Sequence, residues 1–450
     1  MSRKQFFTLL ATILGSGIVI LDGTVVNLAL PALSRELHAD FSDLQWVVDG
    51  YLLSLSALIL VGGSLGDILG RKKVYLFGLV GFGAVSLLCG LAPNMPVLIG
   101  LRLLQGVFGA LLVPGGLAII NTNFSSERRG KAIGQWAAWS ALAAAIGPLA
   151  GGYIVDAASW RWIFFMNIPL VALCLGLALH GVRESRDTRP RRIDASGALL
   201  GVLALGGLTF GLIEGPGTHW GVGSIVAIAV GTVAFAVFLA VERRKQDPMV
   251  RLGLFASRNF TGANIATFAM YGALSGFFFA LVIYLQNTLG YSPLQAGAAG
   301  VPITLLLLLL SGRMGALAAR HGPRLFMTIG PLLTAAGMLY LYRLHPGSTY
   351  LVDILPGIVL FGLGMASLVS PLTITVMSSV AREDSGIASG INNAVSRAAG
   401  LLVIALLGLF GVAHAYRFTI VLCAGLAVIS AIASYALVRK PSVSKSTGQS

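Results

Sequence analysis

The sequence predicts an all-α integral membrane protein with fourteen transmembrane helices, on three observations. First, 56% of its 450 residues are hydrophobic and 11% are charged, against about 25% charged in soluble domains. A soluble chain of this composition would lack the polar surface to stay in solution. Second, the apolar residues form unbroken runs of roughly twenty, the length of a membrane-crossing helix, not the shorter alternating segments of a transmembrane β-barrel. Third, the cations lie between the runs and favour one side. With the N-terminus inside, 25 of the 31 Lys and Arg fall on the cytoplasmic side. Arg35, Arg161, Arg343 and Arg417 fall outside, and Arg102 and Arg397 lie within spans. This bias predicts both termini in the cytoplasm, which requires an even number of spans.

Taken in order, the first span lies near 6–31, after the basic start Ser-Arg-Lys-Gln, and holds Asp22 and Asn27. That run is too long for the apolar core of a cleavable signal, so none is expected. The second, near 44–64, holds Asp49 and runs into a polar hinge, Gly62–Lys73. The third, near 74–92, follows Arg71, Lys72 and Lys73. The fourth, near 96–121, holds Arg102. The fifth, near 131–153, follows Arg128, Arg129 and Lys131 and holds Gly147, Pro148, Gly151 and Gly152. The sixth, near 161–181, ends at a basic loop, Arg183–Arg192. The seventh, near 195–213, leaves Glu214 at its outer end. The eighth, near 222–241, precedes a second basic loop, Glu242–Arg258. The ninth, near 260–286, is aromatic. The tenth, near 293–314, runs into Leu317–Arg324. The eleventh, twelfth, thirteenth and fourteenth lie near 323–342, 351–376, 385–411 and 416–438.

The net charge of +14 follows from these loops. The cations are dispersed, so no nucleic-acid face is expected. Cys89, Cys174 and Cys423 all sit in apolar runs and read as packing residues, without a disulfide framework. The six histidines show no ligand spacing, and no metal site is expected.

An internal repeat organises the chain. Leu317-Ala-Ala-Arg-His-Gly-Pro-Arg324 is a weaker copy of the first hinge, pairing Leu65 with Leu317 and Gly70 with Gly322 at an offset of 252 residues. Removing the span pair bracketed by the two basic loops shortens that offset by about fifty residues, to roughly the length of six compact spans. The expected domains are a six-helix bundle over 1–190, two inserted helices over 191–250 and a second six-helix bundle over 251–450. Such repeats place a transporter's substrate between the halves.

The motifs carry a family resemblance. Gly66-Asp67-Ile-Leu-Gly70-Arg71-Lys72 resembles the signature loop between spans two and three of the major facilitator superfamily. Leu98–Ala110, with Arg102, Gln105 and Gly106, is similar to its span-four motif. Gly147-Pro148-Leu-Ala-Gly151-Gly152 resembles the span-five motif associated with antiporters. Leu21-Asp22-Gly-Thr-Val-Val-Asn27-Leu-Ala-Leu-Pro31, with Trp160–Pro169, resembles the fourteen-span drug:proton antiporter branch, the EmrB/QacA type. The resemblance implies the major facilitator fold and a gating role for the first hinge. In that role Asp67 holds the outward-facing state against basic groups and a helix N-terminus, where the helix dipole favours an acid. The span beginning near Ser385, or Arg128, Arg129 and Lys131, are the expected partners. The second hinge copy has Ala319 where the first has Asp67.

Charges inside a membrane are costly, so Asp22, Asp49 and Arg102 are the candidate coupling residues. Counted along their spans, all three fall at similar depth in the N-terminal half. An acid that alternates between wet and dry surroundings binds and releases a proton. Asp22 or Asp49 is expected to carry it, with Arg102 tuning the site; the alternative is a permanent pair that only locks the bundle. Packing alone would equally explain the glycines of span five.

Candidate substrate residues are Asn27, Gln105, Tyr271, Phe278, Tyr284, Gln286, Asn392, Asn393 and Arg397, since aromatics stabilise cationic or planar ligands and polar side chains in spans can face a cavity; packing against lipid is the alternative for the aromatics. Phe277, Phe279 and Asn287 belong to the same aromatic stretch. The C-terminal spans read as free of acids, which argues against strongly cationic substrates. No Walker-type loop is visible.

The expected function is therefore proton-coupled export of hydrophobic drugs or related molecules by alternating access, from the inner membrane. No cofactor beyond the proton gradient is needed. The expected partners are a small hydrophobic substrate, protons and the bilayer, the chain acting as a monomer or beside an accessory efflux partner. Export of a specific metabolite, antibiotic or lipid, or proton symport, remains open on the same fold. An enzyme is not expected, because no nucleophile elbow or paired-His motif appears, and the duplicated halves disfavour a passive channel.

Overall fold

Two glycines with matching backbones divide the chain at equivalent places. Gly70 has φ 113° and Gly322 has φ 97°, a region that side chains with a Cβ rarely adopt. Each closes one long helix and opens the next within a single residue. The predicted first hinge is therefore mostly helix, with Asp67 in the last turn of one helix and Arg71 in the first turn of the next. The computed structural model describes residues 2–187, 194–246, 248–381 and 384–439. Among the cations assigned to cytoplasmic loops, Arg189, Arg191, Arg192, Arg382, Lys440 and Lys445 lie outside these ranges.

The long helices are α1 (Arg3–Leu37), α2 (Phe41–Leu69), α3 (Arg71–Gly90), α4 (Met95–Asn123), α5 (Ser126–Ala157) and α6 (Trp162–Gly181). Next come α7 (Ala195–Gly217), α8 (Val222–Arg244), α9 (Arg258–Asn287) and α10 (Pro293–His321). Last are α11 (Pro323–Leu341), α12 (Tyr350–Ser378), α13 (Ser385–Leu406) and α14 (Gly411–Leu437). Their starts are written in the sequence. Ser2, Asp40 and Ser292 form capping boxes with Gln5, Asp43 and Gln295, and Asn94 and Ser257 cap α4 and α9. These side chains satisfy amide groups that the helix leaves open.

Among the described residues, thirteen helices are long and apolar enough to cross a membrane. The remaining predicted span falls in α5, which is 32 residues long. The helices overrun the predicted spans: α1 continues through Pro31 to Leu37. Hydropathy marks the apolar segment, while the hydrogen-bonded helix continues past it. Asp353 corrects the reading of acid-free C-terminal spans. It lies in the first turn of α12 and accepts hydrogen bonds from Thr349.

The two ends of the chain pack alike. Within the first six helices, α2 and α3 pack on α4, α1 on α5 and α6, and α3 on α6. Within the last six, α10 and α11 pack on α12, α9 on α13 and α14, and α11 on α14. The halves meet where α2 packs on α13, α5 on α10 and α1 on α9. The inserted helices pack on each other, and α7 also lies against both α2 and α13. The outer face of α8 stays apolar and exposed at Val222, Val226, Val230, Val233 and Val237, as expected for a lipid-facing surface.

Candidate functional site

Four helices of the first half converge on one carboxylate. Asp22 on α1 accepts a 2.5 Å hydrogen bond at Oδ2 from Arg102 Nη1 on α4. Its Oδ1 accepts from Gln105 Nε2 at 3.1 Å and from Asn167 Nδ2, on α6, at 2.9 Å. Both amides also donate to Ser86 Oγ on α3, at 3.0 and 2.8 Å. Arg102 donates further, through Nη1 to Gln105 Oε1 at 2.6 Å and through Nε to the Val47 carbonyl at 3.0 Å. Its guanidinium lies 4.3 Å from the centre of the Tyr51 ring, and Tyr51 donates to the Val19 carbonyl. Every member is buried. A charge pair in such a place is tolerated only when its hydrogen-bonding groups are satisfied, and here the amides supply those bonds.

The structure brings Asp22, Arg102 and Gln105 together and leaves Asp49 apart. Asp49 is 0% exposed, and neither carboxylate oxygen has a hydrogen-bond partner. It lies one turn beyond Gln45 on α2, on the same helix face. Gln45 Nε2 donates to the Ile404 carbonyl at 2.5 Å and to that of Ala405 at 3.3 Å. Asp49 thus faces the seam with α13. Nearness in depth along the spans placed it with Arg102, but helix rotation directs the two carboxyls to different neighbours.

The first hinge is held by its own half. Arg71 donates to Asp67 Oδ1 through Nε at 2.9 Å and Nη2 at 2.6 Å. The Asp67 carbonyl accepts from the Asp187 amide at 2.9 Å. The helix N-terminus capped here is that of α3, and the cap is Glu184, whose carboxylate accepts from the Lys72 and Lys73 amides. Lys72 Nζ donates to the Leu179 carbonyl. Gly70 is required twice over: by its positive φ, and because a Cβ there would stand 2.8 Å from Glu184 Oε1.

The span-five glycines are contact points. A Cβ on Gly147 or Gly151 would meet Thr24 or Val25 of α1, and one on Gly152 would stand 2.5 Å from the Pro293 carbonyl oxygen of α10. The Pro148 carbonyl in turn fits against Gly297. Small residues at these positions let backbones touch. Ser292 donates to Asp156 Oδ2, and Gln286 to the Leu28 carbonyl. These junctions lie toward the end where α1 finishes.

The remaining candidates separate. Gln286 is committed to the junction with α1. Tyr284 stacks on Tyr416, with centroids 3.9 Å apart, and donates to the Leu344 carbonyl. Phe278 packs edge-on against Phe361, which stacks on Phe277, and Tyr271 packs against the second-half core. In this conformation the Tyr271, Phe278 and Tyr284 rings, each partly buried, are engaged in packing within the second half. Asn392 on α13 donates to Asn264 and Thr267 on α9. Asn393 is exposed and donates to the Ser389 carbonyl. Arg397 Nε and Asn27 Oδ1 are buried without partners. Glu214, read as interfacial, accepts a 2.7 Å bond from Trp46 Nε1, tying α7 to α2. Sequence reasoning did not single out Ser86, Tyr51, Gln45 or Glu184. Such residues are common in any membrane helix or loop, and only their placement sets them apart.

A family model described as the Major Facilitator Superfamily matches residues 12–396 and 263–450. The chain is 34% identical to the puromycin resistance protein pur8 of Streptomyces alboniger, over 97% of this chain and 92% of that one. It is 36% identical to the multidrug resistance protein Stp of Mycobacterium tuberculosis (strain CDC 1551 / Oshkosh), over 91% and 76% respectively. The tetracenomycin C resistance and export protein of Streptomyces glaucescens is 34% identical, over 89% and 75%. Among solved structures, a peptide transporter POT in complex with sulfate superposes with a TM-score of 0.72 at 16% identity, over 96% of this chain and 94% of that one. That last likeness bears on fold alone.

Proposed function

The chain belongs to the Major Facilitator Superfamily, and from that premise we propose that it is a proton-coupled exporter of hydrophobic drugs, working by alternating access between two six-helix bundles, 1–190 and 251–450. The membership makes it a multi-pass membrane transporter. The antiport step, the inner-membrane location and the cytoplasmic termini are part of the proposal.

One observation carries it. The first half holds a fully bonded ion pair, Asp22–Arg102, beside a buried carboxyl with no partner, Asp49. A carboxylate without a partner in a dry place is costly, so the neutral acid is the form that fits this conformation. Opening the seam to water allows ionisation, and the difference between the two surroundings couples protonation to the conformational change. The saturated pair at Asp22 acts as a fixed pivot among α1, α3, α4 and α6. This divides the labour expected of Asp22 and Asp49 between them.

With the termini in the cytoplasm, the Gln45, Leu28–Gln286 and Asp156–Ser292 junctions close the outer side. We read the structure as the outward-closed state. The Asp67–Arg71 pair, formed within one half, agrees with that reading, because a latch for the outward-open state would be released here. The relatives' names, which concern puromycin, tetracenomycin C and multiple drugs, support a hydrophobic drug as cargo.

The test is efflux from cells lacking their own exporters, screened over cations, neutral drugs and lipids with and without an imposed pH gradient. Asp22→Asn and Asp49→Asn serve as controls. Efflux of a drug that collapses with the gradient supports the proposal, and gradient-independent export would sink it.

A further inference from the structure

The seam between α2 and α13 carries a buried carboxyl without a partner and, from the other half, an arginine whose Nε is buried and unbonded and which interacts electrostatically with the Tyr51 hydroxyl. Asp49 on α2 has both oxygens free of hydrogen bonds, and Arg397 on α13 has a buried Nε without a partner. Two contacts fix the register of the helices. Gln45 reaches the Ile404 and Ala405 carbonyls, and a Cβ on Gly390 would lie 3.3 Å from Leu60 Cδ2. The helices are therefore antiparallel, with Asp49 opposite residues 400–401 and Arg397 opposite residues 52–53. The offset is less than one helical turn, ~5 Å of rise, within reach of an arginine side chain.

The other charged and titratable groups around Asp49 are engaged. On α1, Asp22 is bound to Arg102, Gln105 and Asn167. On α4, Arg102 is held by Asp22, Gln105 and the Val47 carbonyl. On α7, Glu214 holds Trp46. On α3, Tyr75 donates to the Ala11 carbonyl and Cys89 to Gln105. On α2 itself, Tyr51 donates to the Val19 carbonyl, and Asp43 closes the capping box with Asp40.

We propose that Arg397 is the partner of Asp49 across this seam, and that the two pair when Asp49 releases its proton to water. This deepens the proton-coupling reading and rests on it. With Asp49 protonated and neutral, no bond joins it to Arg397, the arrangement seen in this structure. Ionised, Asp49 binds the Arg397 side chain across the seam, which pulls α13 against α2 and so one half against the other. Arg397 then acts as a positioning residue, transmitting the charge state of one half to the other.

The seam itself provides a reporter. In a background with Cys89, Cys174 and Cys423 replaced by alanine, Leu60→Cys and Gly390→Cys are introduced in the full chain, reconstituted in liposomes without substrate. Disulfide yield under a fixed oxidant (copper phenanthroline) is compared at about pH 5.5 and about pH 8.5, which bracket perturbed carboxyls, and is normalised to a cysteine pair fixed within one helix, which reports the pH dependence of thiol oxidation itself. The expected result is a change of about threefold or more between the two, abolished by Asp49→Asn and by Arg397→Gln and retained by Arg397→Lys. A pH response that survives Arg397→Gln overturns the pairing, as does a flat response in the parent protein. If Arg397→Gln does not fold, Arg397→Lys decides: loss of the response in a folded lysine variant overturns the proposal. Gradient-driven efflux is measured separately. An intact seam response without gradient-driven efflux removes the antiport reading and leaves the pair standing.

Discussion

Asp22 Oδ2 and Arg102 Nη1 stand 2.5 Å apart, with the two side chains at 0% and 1% exposure. Removing one member of a buried pair leaves the other charge uncompensated, at about 3–5 kcal/mol. Arg102→Met is therefore expected to destabilise the protein by that amount. Asp22→Asn retains an acceptor for Gln105 and Asn167, yet leaves Arg102 without its counter-charge. The double substitution Asp22→Asn/Arg102→Met should cost less than the two single changes combined. Thermal unfolding in detergent across the four proteins measures this, and additive losses would show that the pair is not energetically coupled.

Gly297→Ala is expected to disfavour the outward-closed state. The added Cβ would meet the Pro148 carbonyl oxygen at 2.2 Å. That oxygen belongs to backbone and cannot rotate away, so α10 must withdraw from α5. Overpacking of this kind costs roughly 1–3 kcal/mol, enough to change the ratio of two conformations. Labelling of a cysteine placed at the outer junction, for example Asp156→Cys, should rise in Gly297→Ala compared with Gly297.

Glu184→Ala is expected to loosen the first hinge. Glu184 accepts from the first amides of α3, and losing such a cap costs about 0.5–2 kcal/mol. Faster backbone hydrogen exchange at residues 71–74, with little change in α4, is the expected signature. Glu184→Gln keeps an acceptor and should fall between the two.

The start of the first inserted helix should loosen in acid. Asp194 caps α7 through the Gly197 amide at 2.7 Å and is paired with Lys245. Burial favours the neutral acid, but the bonds from Lys245 and Gly197 outweigh it, and the carboxyl titrates at about 2. Its folded value is depressed below the ordinary one, so its stabilising contribution is complete above pH ~4 and is lost as pH falls toward 2. Hydrogen exchange around 194–198 should accelerate over that window in the native protein. In Asp194→Asn it should be fast at every pH.

Much of the fold was legible because the bilayer imposes a simple code. Runs of about twenty apolar residues mark a span, so the helices were placed to within about seven residues at each end. The Gly70–Gly322 repeat was visible because both positions need a backbone that glycine adopts cheaply. The hinge was misjudged in one respect. Polar residues suggested a loop, whereas Asp67 and Arg71 are helical and pair across Gly70. The aromatic stretch of α9 was harder still, since the ring partners of Tyr284 and Phe278, Tyr416 and Phe361, come from distant helices.

The sequence by itself determined that this is a many-spanning helical membrane protein with repeated halves, because hydropathy, charge bias and glycine placement are local properties. It also marked Asp22, Asp49 and Arg102, because charges are rare in apolar runs. Which acid is paired and which stands alone was decided only by the tertiary structure. Asp22 gains Arg102, Gln105, Asn167 and Ser86 because α3, α4 and α6 meet at one point on α1. Asp49 faces α13, whose backbone carbonyls go to Gln45 instead. A carboxylate's energy depends on what lies within a few ångströms, and for these two acids those neighbours come from segments about sixty to 360 residues away.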